Sequence, residues 1–156
     1  LDPRISNIGH DANALDLHGT DRDRLVGRFC QLTAARVLNI VVAGGVREEV
    51  QHPRTPANVK ASVLPQIFNL RPGLNTSQRS QRRTVLEIIQ GNARPGKHTA
   101  DASHLSEAAE TGCAYFITED RRILNKRRAL RSVLPPSLTI VTLDEFFVIF
   151  DHYEMG

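Results

Sequence analysis

Four acidic positions in this chain have the spacing and flanks to do chemistry: Asp2, Glu49, Asp101 and Asp120. Leu1-Asp2-Pro3 reads as the last step of a strand whose earlier residues lie upstream of the sequence given. Glu48-Glu49 falls in a short helix after a second strand, and Asp120 follows the apolar run Tyr115-Phe116-Ile117-Thr118. Asp101 opens the helix just before that run. In an open parallel sheet, ligands collect beyond the carboxyl ends of the strands. Four carboxylates meeting there would repel one another unless a hard divalent cation sat among them. Such a cation suits phosphodiester hydrolysis, because it polarises a phosphoryl oxygen and lowers the pKa of water. Each acid also has a structural account. A helix dipole favours Asp101 in a first turn, Asp120 is a natural N-cap, Glu49 fits a solvated helix face, and Asp2 fits a frayed terminus.

Other constellations carry less. His98-x-x-Asp101-x-x-His104 has helical spacing, but Pro95-Gly96 leaves His98 outside the helix and no further soft ligand lies nearby, so zinc is not expected. His104 reads as packed or solvent-facing, and His98 as a residue able to line the pocket. Gly44-Gly45 lacks the spacing of a phosphate-binding loop, and no Gly-x-Ser-x-Gly elbow is present. The densest basic stretch is Arg121, Arg122, Lys126, Arg127, Arg128 and Arg131. It is either a solvated helix face or, starting beside Asp120, a grip on a nucleic-acid backbone that Arg79, Arg82 and Arg83 extend.

The elements that must position these residues alternate between helix and strand. Apolar periodicity predicts helices over 21–38, 46–51, 56–69, 77–90, 99–111, 119–133 and 143–150. Thr99 is the expected N-cap of the fifth of these, and Gly112 its C′ residue. Short β-branched or apolar runs predict strands over 39–43, 113–118 and 137–142. This alternation predicts an α/β fold, a three-layer α/β/α sandwich around a mostly parallel central sheet.

Composition bounds the class. The 156 residues suit a single domain spanning 1–156, and 40% hydrophobic with 24% charged residues reads as globular. Aromatic residues make up only 5% and Trp is absent, which argues against a binder that stacks bases on rings. Cys30 and Cys113 sit in apolar surroundings and read as buried, reduced thiols of a cytoplasmic protein. No apolar run approaches a membrane span, and Asp2, Arg4 and His10 interrupt any secretory leader. Asn75-Thr76-Ser77 is therefore read as a polar loop rather than a glycosylated sequon. The net charge of +3 permits a nucleic-acid partner. Phe146, Phe147, Ile149, Phe150 and Tyr153 read as core, with a protein contact as the alternative.

The stretch from Asp101 to Leu124 resembles the C-terminal signature of PIN-domain nucleases. It has an Asp opening an Ala-rich helix, a Gly turn at Gly112, an apolar strand, then Thr118-Glu119-Asp120 and a basic helix. Leu1-Asp2 resembles the end of the family's first strand and Val46–Val50 its second acidic element, so the likeness runs in order over nearly the whole chain. The resemblance implies a PIN-like fold and a Mg²⁺- or Mn²⁺-dependent endoribonuclease like the VapC-like toxins of toxin–antitoxin pairs. Carried over, Asp2, Glu49, Asp101 and Asp120 form the metal-binding pocket. Glu49 is preferred to Glu48 because the family's acid precedes an apolar residue, here Val50. Thr118 hydrogen-bonds a carboxylate, the water or the scissile phosphate; in the functional version of the basic stretch, Arg121, Arg122 and Lys126 hold RNA. The resemblance also implies a homodimer and an antitoxin that plugs the site. An open rim suits single-stranded or looped RNA. One departure stands out: the family shows a hydroxyl residue and then Asn after its first Asp, whereas Pro3-Arg4 follow Asp2. That departure supports a second reading, a catalytically inactive PIN-like RNA-binding or scaffold protein. A phosphotransfer receiver fits less well, since no Lys follows a fourth strand.

Overall fold

The computed structural model describes residues 1–41 and 75–155. The expected helices over 46–51 and 56–69, Gly44-Gly45 and Glu48-Glu49 lie outside the described residues. The protein is α/β. Among the described residues, four strands, β1 (Asn7–His10), β2 (Asn39–Ile40), β3 (Tyr115–Ile117) and β4 (Thr139–Val141), form one sheet in the order β2-β1-β3-β4. All pairings are parallel: Ile8 lies opposite Ile40 on one side and Tyr115 on the other, and Phe116 lies opposite Ile140.

Successive strand residues face opposite ways, and the two faces carry separate cores. Ile8, Ile40, Tyr115, Ile117 and Val141 share one core with Phe29, Phe146 and Phe150. These aromatics come from α1 (Arg22–Ala34) and α6 (Leu143–Met155). Phe116, Ile140 and Val41 share the other core with residues of α2 (Thr76–Gln90), α3 (Thr99–Glu110), α4 (Arg121–Asn125) and α5 (Arg127–Arg131). Helices thus cover both faces, giving three layers. Gly9 lets α3 lie close against β1: a Cβ there would stand 3.1 Å from the Ala108 Cβ. No helix among the described residues is long and apolar enough to cross a membrane.

Several boundaries differ from the sequence expectation for local reasons. The first helix stops at Ala34 rather than 38 because Arg36 takes a left-handed φ of 60°. Its N–H bonds the Thr33 carbonyl and the Val37 N–H bonds Leu32, a Schellman closure without its usual glycine. Gly112 closes α3 in the same way, with φ 72° and a bond from Cys113 N–H to the Ala108 carbonyl. At the other end His98, not Thr99, is the N-cap, and its side chain makes no capping bond. The expected basic helix over 119–133 is two short helices meeting at Lys126, whose N–H turns back to the Ile123 carbonyl. Asn75, expected in a loop, caps α2 and exchanges bonds with Gln78 in a capping box. Cys30 and Cys113 are buried thiols that form no disulfide.

The N-terminus requires the largest correction. Leu1-Asp2-Pro3 does not end a strand. Pro3–Ile5 is a 3₁₀ turn with Asp2 as its N-cap, and the first strand begins afterwards at Asn7. Proline at the first position of the turn, with a short acid before it, makes a helical start there rather than a strand end.

Candidate active site at the carboxyl rim of the sheet

β1 ends at His10, so the residue that leaves the sheet at its carboxyl end is Asp11. The Asp11 N–H still bonds the carbonyl of Ile117, the last residue of β3. The chain then enters a 3₁₀ turn, Ala12–Leu15, with Asp11 as its N-cap. Asp11 is 3% exposed, so its carboxylate must be satisfied internally. Two side chains do this. Thr118, the residue after β3, donates its hydroxyl to Asp11 Oδ2 at 2.7 Å. His104 of α3 places its Nδ1 2.9 Å from Asp11 Oδ1. A carboxylate only accepts, so this contact is a hydrogen bond when His104 carries its proton on Nδ1.

Thr118 is fully buried, and its oxygen also accepts the Asp120 N–H at 3.0 Å. Asp120 in turn caps α4, its Oδ1 accepting the N–H groups of Arg122 at 2.8 Å and Ile123 at 3.2 Å. Asn13 ties the 3₁₀ turn to the same loop by accepting the Glu119 N–H. Arg22 stands behind, donating to the carbonyls of Ala14 and Asp16 and lying 3.3 Å from Glu119.

Asp101 is one helical turn before His104 and so shares its face of α3. It is partly exposed, and His98 Nδ1 lies 3.3 Å from its Oδ2. Burial pushes the Asp101 pKa up, and the charges of Asp120 and Asp11 push it further, against the opposing pull of His98. The rim is therefore a place where negative charge is crowded. His10, buried against Phe29, is held neutral by burial, which lowers its pKa more than its bond to the Asp11 carbonyl raises it.

Three of the expected site residues, Asp101, Thr118 and Asp120, stand at this rim. Asp2 does not. The Leu1 carbonyl accepts from the hydroxyl of Tyr115, the first residue of β3, so Asp2 lies toward the amino end of the sheet. There it is bound by Arg4, whose guanidinium reaches both carboxylate oxygens at 3.1 and 2.8 Å. Glu49 lies outside the described residues. Asp11, absent from the sequence-based set, takes the place at the end of the first strand. The available signal was Asp11-Ala12-Asn13 directly after Ile8-Gly9-His10.

The expected basic track is also divided. Arg121 is exposed. Arg122 instead donates to the carbonyls of Ile89 and Gln90, closing the C-terminal end of α2. Lys126 lies against the same end, its Nζ 2.8 Å from where a Gly91 Cβ would stand. Both cations face the negative end of a helix, which accounts for them without RNA. Arg82 pairs with Glu110 through two bonds of 2.7 Å, and Arg127 with Glu145 at 2.8 Å. Arg79, Arg83, Arg128 and Arg131 are exposed. Phe146, Phe147 and Phe150 are core residues.

Among the described residues, no three His, Cys, Asp or Glu side chains come together closely enough to enclose one ion. The donor chemistry of the rim nonetheless suits a hard cation. Asp11, Asp101 and Asp120 offer oxygens only, and Mg²⁺ is commonly held by one or two carboxylates with waters filling its shell. No protein-family model, curated protein or solved structure matches this chain.

Proposed function

We propose that the carboxyl rim is the active site of a Mg²⁺- or Mn²⁺-dependent endoribonuclease of the PIN type, cutting single-stranded or looped RNA. One observation carries this reading. A buried carboxylate, Asp11, is locked at the end of β1 by Thr118, and the same hydroxyl fixes the backbone of Asp120. With Asp11 as the first acid, the departure narrows to Ala12 in place of the hydroxyl residue, because Asn13 stands two residues after Asp11.

Asp11, Asp101 and Asp120 would hold the ion; the resemblance adds Glu49, which lies outside the described residues. When bound, the ion supplies Lewis acidity toward a phosphoryl oxygen and lowers the pKa of water. The chain's own part is positional. Thr118 fixes the spacing between the β1 and β3 ends, Asp120 is oriented by the N-terminus of α4, and His98 holds Asp101. Exposed Arg121, beside Asp120, would meet the RNA backbone. Action as the toxin of a toxin–antitoxin pair, a homodimer and a cytoplasmic location belong to the same proposal, on the strength of the resemblance.

The test is cleavage of end-labelled single-stranded RNA in Mn²⁺, Mg²⁺ and EDTA, beside Asp11→Asn, Asp101→Asn and Asp120→Asn. Metal-dependent cutting lost in all three folded variants is expected. Cutting that survives in them, or none by the folded wild type, would overturn the proposal. The second reading, an RNA-binding or scaffold protein without catalysis, is favoured by one fact: both Asp11 oxygens already accept hydrogen bonds. It predicts RNA binding that persists in EDTA and is unchanged by Asp101→Asn.

A further inference from the structure

We infer that His104 is a positioning residue for the cation site: it sets the orientation of the Asp11 carboxylate before any ion arrives. The inference rests on the reading of the rim as a divalent-cation site and adds a residue to it.

His104 is 3% exposed on a helix whose other buried residues are Ala102, Leu105, Ser106 and Ala108. At such a position an apolar side chain would pack without needing a polar partner. The imidazole instead reaches across from α3 to a residue 93 positions earlier, placing Nδ1 2.9 Å from Asp11 Oδ1. Thr118, just past the end of β3, holds the other oxygen, Oδ2. Two donors from two different elements fix the carboxylate plane, where one would leave it free to rotate. Each oxygen retains a second lone pair, so the carboxylate is oriented without being used up.

The same helix face supplies Asp101, three residues before His104. A single rigid element therefore carries one rim carboxylate directly and steers another through an imidazole. Outer partners of metal-binding carboxylates act in this way, and their loss typically weakens binding about 10- to 100-fold.

The test is Mn²⁺ titration of the intact chain, read by electron paramagnetic resonance of free Mn²⁺, which needs no turnover. His104→Asn keeps an N–H near the Nδ1 position, whereas His104→Leu removes it. Circular dichroism and thermal melts confirm that each variant is folded. The expected result is about a 10- to 100-fold weaker Mn²⁺ affinity in His104→Leu, with most of the loss restored in His104→Asn. Wild-type affinity in folded His104→Leu, or equal losses in both variants, would overturn the role of His104 and leave the cation site standing. If the folded wild type binds no Mn²⁺, the site reading fails, and the role of His104 fails with it. Should His104→Leu not fold, His104→Gln decides: its amide matches Nε2 rather than Nδ1, so it should lose affinity where His104→Asn keeps it.

Discussion

The Thr118 hydroxyl donates to Asp11 Oδ2 at 2.7 Å while its oxygen accepts the Asp120 N–H at 3.0 Å, so one fully buried side chain joins the ends of two neighbouring strands. Thr118→Val keeps the shape and removes both bonds, leaving a buried carboxylate and a backbone N–H unsatisfied. Such losses cost about 1–3 kcal/mol. Urea denaturation should show a lower midpoint for Thr118→Val and near recovery for Thr118→Ser. A Val variant as stable as wild type would mean the relay does not form.

Asp2, expected in the acidic pocket, lies away from the carboxyl rim, whereas Asp11, to which the sequence reading gave no role, stands at it. Asp2 is paired with Arg4 at the amino end of the sheet, and Asp11 is buried at the carboxyl end. Asp2→Asn should therefore leave Mn²⁺ binding and RNA cleavage at wild-type levels. Asp11→Asn should abolish both, as calorimetric titration and gel assays would show. Loss of binding in Asp2→Asn, with Asp11→Asn unaffected, would return the site to Asp2.

The alternation of helix and strand was legible because buried parallel strands are short apolar runs between amphipathic helices, as in Tyr115–Ile117 and Thr139–Val141. Thr118 and Asp120 were legible for a related reason: a polar pair directly after such a run must leave the sheet at its carboxyl end. Asp11 was not. Its strand is only Asn7–His10, with two polar residues and a glycine among its four, so no apolar run announces it. The burial of His10 and Gly9 comes from α1 and α3, which are distant in sequence. His104 was hidden for the same reason, since its partner is set by tertiary packing. The splitting of 119–133 at Lys126 has no proline or glycine to mark it.

Arg121 and Arg122 are adjacent but differ in what they touch. Arg122 donates to the last carbonyls of α2, and charged hydrogen bonds of this kind contribute about 1.5–3 kcal/mol each when buried and less at a partly exposed site. Arg122→Ala should lower the unfolding midpoint measurably, by roughly 1–2 kcal/mol of stability. Arg121→Ala should leave stability unchanged. If RNA lies across this rim, Arg121→Ala should weaken binding and reduce the salt slope of log K by about one contact's worth. Equal melting curves for the two variants would contradict the clamp seen for Arg122.

Glu145 gives the fold a testable pH dependence away from the rim. It forms a capping box with Thr142: the Thr142 N–H donates to Glu145 Oε1 at 2.8 Å, and the Glu145 N–H donates to the Thr142 hydroxyl at 3.1 Å. Arg127 donates to the same carboxylate oxygen. Burial pushes the Glu145 pKa up, but the Thr142 N–H and Arg127 together hold it below the ordinary carboxylate value. The folded protein therefore binds this proton more weakly than the unfolded chain. Its contribution to stability is present at neutral pH and disappears as pH falls through the depressed pKa. Glu145→Gln should lower the melting temperature at pH 7, and the gap to wild type should close in acid. Thr142→Ala should cost about 1 kcal/mol through loss of the cap. A Glu145→Gln gap that stays constant from neutral pH into acid would show that neither Arg127 nor the Thr142 N–H favours the ionised carboxylate.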